Sequence, residues 1–129
     1  MATVGEIMST GLLTVDAATP LAEAAKVMHG HSVGAVLVLT GDRVGGILTE
    51  RDVLRAVALG QVEDTDVAAW MTASPETIEP SDSTSLAASV MIHGGFRHLP
   101  VVAAGKPVGI VSIRDLMRVV LDDETPRGA

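Results

Sequence analysis

Gly46-Ile-Leu-Thr-Glu-Arg-Asp52 and Gly109-Ile-Val-Ser-Ile-Arg-Asp115 lie 63 positions apart and share one pattern. Each reads glycine, two aliphatics, a hydroxyl residue, two variable positions and aspartate. Outward at the same shift, Val38 falls on Val101, Val27-Met28 on Val90-Met91, Ala24-Ala25 on Ala87-Ala88, Thr14 on Thr77, Met8 on Met71 and Val4 on Val67. In the other direction Arg55 meets Arg118 and Val57 meets Val120. Fourteen of the 54 gapless pairs beginning at Val4 and Val67 are identical; ordinary composition gives about three to four by chance. The chain is a duplication, and that decides its architecture before any single motif does.

Both copies predict the same elements. Thr3-Val-Gly-Glu6 has capping-box spacing and predicts a one-turn helix over 4–8, with Asp66 capping its counterpart at 67–71. A short strand follows at Leu12 to Val15, and again at Glu76 to Ile78. Thr19-Pro20 reads as an N-cap with proline at the first helical position. The helix it opens carries Leu21, Ala24, Ala25 and Met28 at helical spacing; Leu86, Val90 and Met91 line the equivalent face. Ala35 to Leu39 with Val44 to Leu48, and Leu99 to Val102 with Pro107 to Val111, read as hairpins turning at Gly41-Asp42 and Ala104-Gly105. Final helices run over Glu50 to Leu59 and Ile113 to Leu121. The order β-α-β-β-α, twice, is an α+β fold. A unit of about 60 residues buries little surface alone, and near-continuous apolar strands ask for cover on both faces. The two copies are therefore expected to pack across their sheets. The division expected is 1–59, a connector 60–66, 67–121, and an acidic tail 122–129.

Composition limits the function. The chain has 129 residues, 47% of them hydrophobic, and a mean hydropathy of +0.40, enough apolar surface for a core rather than a disordered regulator. Trp70 and Phe96 are its aromatics, and there is no tyrosine, which disfavours stacking on single-stranded nucleic acid. Sixteen acids against nine bases give −7, opposing nucleic acid and anionic membrane as partners. Much of that acidity is peripheral: without the connector and tail, ten acids face eight bases. No cysteine is present, which excludes disulfides, thiolate metal sites and a cysteine nucleophile. There is no apolar run near twenty residues and no basic region over Met1 to Thr10, so a soluble, cytoplasmic protein is expected.

The repeated motif supports two chemical readings. As a capping box, Thr49 or Ser112 caps a helix and Asp52 or Asp115 folds back onto the cap residue's amide. As a ligand site, the helix N-terminus offers amides and partial positive charge to phosphate, and the hydroxyl donates to a phosphate oxygen. The carboxylate then accepts from ribose hydroxyls, with the aliphatics walling an adenine slot.

The whole pattern resembles a tandem pair of CBS (cystathionine β-synthase) domains over residues 4–121. Further markers are Ile7-Met8, Trp70-Met71, Thr14-Val15, Thr77-Ile78 and Phe96-Arg-His-Leu-Pro-Val101. The resemblance implies a pseudo-twofold Bateman module whose two clefts between repeats bind adenosine-containing ligands: AMP, ADP, ATP, S-adenosylmethionine or sometimes NAD. It implies a regulatory homodimer that signals to an unidentified effector protein and needs no cofactor. By resemblance, Asp52 and Asp115 match the ribose-binding aspartates and Thr49 and Ser112 the hydroxyls near phosphate. Ile47, Leu48, Ile110 and Val111 match the hydrophobic wall, and Thr14 and Thr77, with Ile78 beside it, match first-strand positions that meet the base. Arg97-His98 resembles a phosphate-gripping pair, followed by Pro100. The first copy carries Gly34-Ala35 and Leu37 at those places, so the two sites are expected to differ in their hold on phosphate.

Other constellations carry less. His29-x-His31 with His93 could be ligands, but residues two apart on a helix diverge. These histidines are expected near helix C-termini, where cations are favoured. Gly45-Gly46 lacks the Gly-Lys-[ST] of a P-loop, the methionines read as core filler, and Arg51 and Arg114 read as solvated. No catalytic arrangement stands out, so no enzyme is expected. The rival to a nucleotide sensor is a ligand-free structural or interaction module of the same fold; a histidine-based metal or redox sensor is the weaker alternative.

Overall fold

The chain, described over residues 2–124 in a computed structural model, folds as two compact units. A continuous unit spans Leu12–Pro75; a composite unit joins the residues up to Gly11 to those from Glu76 onward. In chain order the elements are α1 (Val4–Ile7), β1 (Thr14–Val15), α2 (Leu21–Gly30), β2 (Ala35–Thr40), β3 (Arg43–Thr49), α3 (Glu50–Ala58), β4 (Thr72–Ala73), α4 (Thr84–Gly94), β5 (His98–Ala103), β6 (Lys106–Ser112) and α5 (Ile113–Glu124), with a 3-10 turn at Val67–Ala69 before β4.

The continuous unit holds a four-stranded sheet in the order β1-β2-β3-β4. β1 runs parallel to β2, and the β2–β3 hairpin is antiparallel with Leu37 opposite Ile47 and Ala35 opposite Thr49. Alternation along the strands sends Val36, Val38 and Leu48 to one face, where they pack with Leu21, Ala24 and Met28 of α2 and Ala56 of α3. The composite unit is built alike. β5 and β6 pair with Leu99 opposite Val111 and Pro100 opposite Ile110. Leu99, Val101 and Val111 face Ala87 and Met91 of α4 and Leu116 of α5. Its turn, Ala104-Gly105, has positive φ at both residues (52° and 79°), the geometry that lets a two-residue connection follow the strand twist.

Several local expectations shift. The first strand is shorter than read: Thr14–Val15 in one copy, and in the other a single parallel bridge from Ile78 to Val101. The chain turns at once, because Asp16 N–H donates to Thr19 Oγ1 at 3.1 Å. That spends the hydroxyl expected to cap α2. Pro20 (φ −57°, ψ 138°) is the cap residue rather than the first helical one, and Leu21 N–H donates to the Thr65 carbonyl at 2.9 Å. In α4, Ser83 supplies a true side-chain cap to Leu86 N–H at 3.1 Å. Leu86 itself is exposed, and Ala87 and Met91 take the core positions. α5 continues beyond Leu121 to Glu124, so the expected tail 122–129 starts inside a helix; residues from 125 on lie outside the described residues.

The unforeseen feature is an exchange. α1 belongs with the second copy's strands and the Val67–Ala69 turn with the first copy's. Val4 and Gly5 donate their N–H groups to the carbonyls of Asp82 and Pro80 at 2.8 and 2.9 Å. Val67 and Ala68 do the same to Thr19 and Ala17, both at 2.9 Å. These tertiary bonds satisfy the first-turn amides, so neither Thr3 nor Asp66 supplies a side-chain cap. Thr3 Oγ1 instead donates to Glu6 Oε1 at 3.1 Å. The exchange also adds a strand that the repeat pattern did not show. β4 lies against β3, with Thr72 opposite Ile47, and Ser9 bridges Ile110 at the equivalent place.

Candidate functional site

Each unit turns its motif at the point where a strand ends and a helix begins. Thr49, the last residue of β3, precedes α3; Ser112, the last of β6, precedes α5. The extended backbone at Thr49 (φ −115°, ψ 163°) swings the chain from strand to helix and aims the hydroxyl at the first turn.

Both motifs form the capping box in full. Thr49 N–H donates to Asp52 Oδ2 at 2.9 Å, Thr49 Oγ1 donates to the same oxygen at 3.1 Å, and Asp52 N–H donates to Thr49 Oγ1 at 3.4 Å. In the composite unit the corresponding distances for Ser112 and Asp115 are 2.8, 3.0 and 3.1 Å. The amides offered to phosphate are therefore partly committed. Asp52 and Asp115 N–H serve the boxes, while Glu50 N–H donates to the Gly34 carbonyl at 2.9 Å and Ile113 N–H to the Arg97 carbonyl at 2.8 Å. The hydroxyl protons are committed as well, so donation to a ligand requires giving up Oδ2.

The second carboxylate oxygen is differently placed. Asp52 Oδ1 lies 3.8 Å from Arg55 Nη1, and Asp115 Oδ1 lies 3.8 Å from Arg118 Nη1. That distance is an ion pair but too long for a direct hydrogen bond, which leaves lone pairs able to accept. The aspartate side chains keep 11% and 13% of their surface. Each motif thus presents one carboxylate oxygen held in position and one that can accept from a donor.

Strand alternation sorts the remaining candidates. Leu48, Ile78 and Val111 face the helices and are core residues, fully or nearly buried; their side chains pack with α2 to α5. The opposite face of the continuous unit carries Thr14, Leu37, Ile47 and Thr49. Thr14 is paired with Leu37, which is paired with Ile47. In the composite unit that face carries Thr77, next to the bridging Ile78, together with Pro100, Ile110, His98 and Ser112. Thr14 and Thr77 are exposed, Ile47 and Pro100 buried, and Ile110 half-buried.

Arg97 and His98 join the composite unit's motif directly. His98 stands opposite Ser112 across the hairpin, and the Arg97 carbonyl receives the first amide of α5. Arg97 is exposed. At the same places in the continuous unit, Ala35 stands opposite Thr49 and the Gly34 carbonyl receives Glu50 N–H. The backbone is the same, and the Arg97 and His98 side chains distinguish the units.

Other expectations can be placed too. Arg51 and Arg114 are exposed. His31 Nδ1 lies 3.0 Å from the Val27 carbonyl and His93 Nδ1 lies 2.8 Å from the Ser89 carbonyl, so these imidazoles bond the last turns of their own helices. Among the described residues no group of three or more His, Cys, Asp or Glu side chains could hold a metal ion. Two residues the sequence reading passed over belong to the site, Arg55 and Arg118. Their signal was present: arginine three positions after each motif aspartate, in both copies.

Known proteins share this fold. The sequence model of the CBS domain matches residues 4–59 and 65–122. The CBS domain-containing protein YhcV of Bacillus subtilis is 33% identical over 130 residues, covering 100% of this chain and 93% of that protein. A putative signal-transduction protein with CBS domains from Burkholderia ambifaria superposes with a TM-score of 0.89 at 35% identity, over 99% of this chain and 100% of its own. CBSX2, solved in complex with AMP, superposes at 0.82 with 25% identity, over 97% of this chain and 100% of its own. With two copies of the matching sequence, two α+β units of the same topology and relatives aligned along nearly its full length, the chain belongs to the CBS domain family as a CBS-domain pair.

Proposed function

We propose that this chain is a regulatory ligand-sensing module for adenosine-containing nucleotides of the AMP, ADP or ATP kind, with S-adenosylmethionine as a further candidate. The observation that carries the reading is the doubled motif. The same acid, hydroxyl and arginine recur with matching distances in two units, and one oxygen of each acid can still accept from a ribose hydroxyl. The AMP complex of CBSX2 supports the ligand class. Arg97 and His98 beside Ser112 favour the composite unit for the more anionic end of a ligand. Signalling through such a module requires a ligand with different affinities for two arrangements of the protein or of an effector. The reading carries a homodimer, supported by exposed Leu54, Val57 and Leu59 in and after α3 and by Met117, Val120 and Leu121 on α5. It also carries a cytoplasmic location; among the described residues no helix is long and apolar enough to cross a membrane.

Thermal unfolding with AMP, ADP, ATP, NAD and S-adenosylmethionine at millimolar concentration tests the reading. A ligand present at a hundred times its Kd stabilises by about 2.7 kcal/mol, a shift of several degrees. No shift with any of the five, in protein whose far-UV circular dichroism shows it folded, overturns it. One observation favours a second reading, a ligand-free structural or interaction module: both boxes are complete as caps without any ligand. In that case Ser112→Ala lowers stability and no ligand response exists to change.

A further inference from the structure

Asp52 does more in the continuous unit than cap α3. Arg55, which faces its Oδ1 at 3.8 Å, also lies over the Trp70 ring, 5.4 Å from the centroid. Arg55 Nη2 approaches the Trp70 carbonyl oxygen at 3.5 Å. The indole donates from Nε1 to Thr65 Oγ1 at 2.9 Å, and the Thr65 carbonyl accepts the first amide of α2, from Leu21, at 2.9 Å. A line of contacts therefore runs from the motif acid through residues 65–70 to the start of α2.

The composite unit repeats the ends of this line without its middle. Asp115 and Arg118 stand 3.8 Å apart, and the Ala2 carbonyl accepts the Thr84 amide at 3.1 Å. Yet 63 positions before Trp70 and Thr65 stand Ile7 and Ala2. Neither offers a π face or a hydroxyl.

We infer that Arg55 is a positioning residue that couples the Asp52 carboxylate to Trp70, so that occupancy of Asp52 is felt at residues 65–70 in the continuous unit alone. The chemistry is that of a planar guanidinium, which turns an edge to a carboxylate while its face covers an aromatic ring. A donor that takes Oδ1 competes with Arg55 for that oxygen. Arg55 is 56% exposed, so the released guanidinium can move into water and uncover the indole. The ligand step rests on the proposed nucleotide reading; the coupling between Asp52 and Trp70 belongs to the unliganded protein and is tested there.

Trp70 is the only tryptophan and the chain has no tyrosine, so intrinsic fluorescence reports this one site. Asp52→Asn removes the charge that holds Arg55, keeps an oxygen for Thr49 N–H, and lies outside the indole's own contacts. Its emission is expected to move to longer wavelength and its quenching by acrylamide to rise, as in Arg55→Ala. Arg55→Lys should fall between that variant and the wild type, while Asp115→Asn should leave the spectrum unchanged. An unaltered spectrum in Asp52→Asn, or an equal shift in Asp115→Asn, overturns the coupling. If Asp52→Asn does not fold, an unaltered Arg55→Lys spectrum overturns it instead. Titration with AMP separates the two readings. Calorimetric binding to the continuous unit's motif, shown by its loss in Asp52→Ala, with no change in Trp70 emission refutes the coupling and leaves the nucleotide reading intact. No binding of AMP, nor of ADP, ATP, NAD or S-adenosylmethionine titrated in the same way, with the Asp52→Asn shift present, supports the coupling and refutes the nucleotide reading.

Discussion

Replacing Gly109 with alanine tests the account of why the motif begins with glycine. Gly109 is buried in β6, opposite Val101. A Cβ there would lie 2.6 Å from Met8 Sδ, 3.0 Å from Met8 Cγ and 2.9 Å from the Ser9 carbonyl oxygen. The thioether is flexible and can swing aside. The carbonyl cannot move freely, because Ser9 and Ile110 exchange N–H···O bonds of 2.9 and 3.0 Å. An added methyl in a packed site costs about 1–3 kcal/mol. Alanine's more restricted unfolded chain offsets about 0.4–1 kcal/mol. The net loss of about 1–2 kcal/mol lowers Tm by roughly 4–7 °C for a domain of this size. Calorimetric unfolding of the wild type and variant at equal protein concentration measures it. Met8→Ala, made in both backgrounds, should cost at least about 0.5 kcal/mol less beside Gly109→Ala than alone, because the two groups compete for one space. An unchanged or raised Tm, or strictly additive costs, would refute the reasoning. Gly46→Ala should act in the same direction and more weakly, since its Cβ would meet Met71 Sδ at 2.6 Å but the Thr72 carbonyl oxygen only at 3.1 Å.

The remaining predictions concern the caps and the ligand. Ser112→Ala removes a hydroxyl that accepts an N–H and donates to Asp115, and should cost about 1 kcal/mol in chemical denaturation. Thr3→Ala, whose hydroxyl bonds only exposed Glu6 among the described contacts, should stay within about 0.5 kcal/mol of the wild type; a loss equal to that of Ser112→Ala would contradict the tertiary capping of α1. In isothermal titration with AMP, Arg97→Ala and Asp115→Ala should weaken binding more than Asp52→Ala. Equal losses would reject the difference between the units.

Much of the fold was legible because a duplication states each inference twice. The hairpins, their turn residues and the start of the helix after each motif could be placed to within a residue or two, since Gly41, Gly105 and the hydroxyl-to-acid spacing each act over a few positions. Less legible were features whose partner lies far along the chain. Thr3-x-x-Glu6 has the spacing of a box, yet the amides of α1 are taken by Pro80 and Asp82. Leu48 and Val111 were read together with Ile47 and Ile110 because an apolar residue carries no mark of which sheet face it occupies; one position of register separates them. Leu86 looked like core at helical spacing, and the structure leaves it exposed.

The candidate site divides along the same line. Asp52, Thr49, Asp115 and Ser112 were legible as a unit because local backbone geometry brings residues three apart together at a helix start. Arg97 and His98 were set apart by resemblance to a phosphate-gripping pair, and the β5–β6 register supplied their place beside Ser112. Trp70 gave no sign of belonging to the site, since it lies 18 positions from Asp52 and joins it through Arg55.

By itself the sequence determined the duplication, the α+β order of elements and the two acid-hydroxyl caps, all of which rest on identity at fixed spacing or on contacts within one turn. Only the tertiary structure decided which strand each short helix lies against, why Gly46 and Gly109 have no room for a side chain, and that one motif acid is linked to an indole while its twin is not. Those features depend on hydrogen bonds and packing between residues brought together by the exchange of α1 and the Val67–Ala69 turn. An exchange conserves every local propensity, so no local pattern can record it.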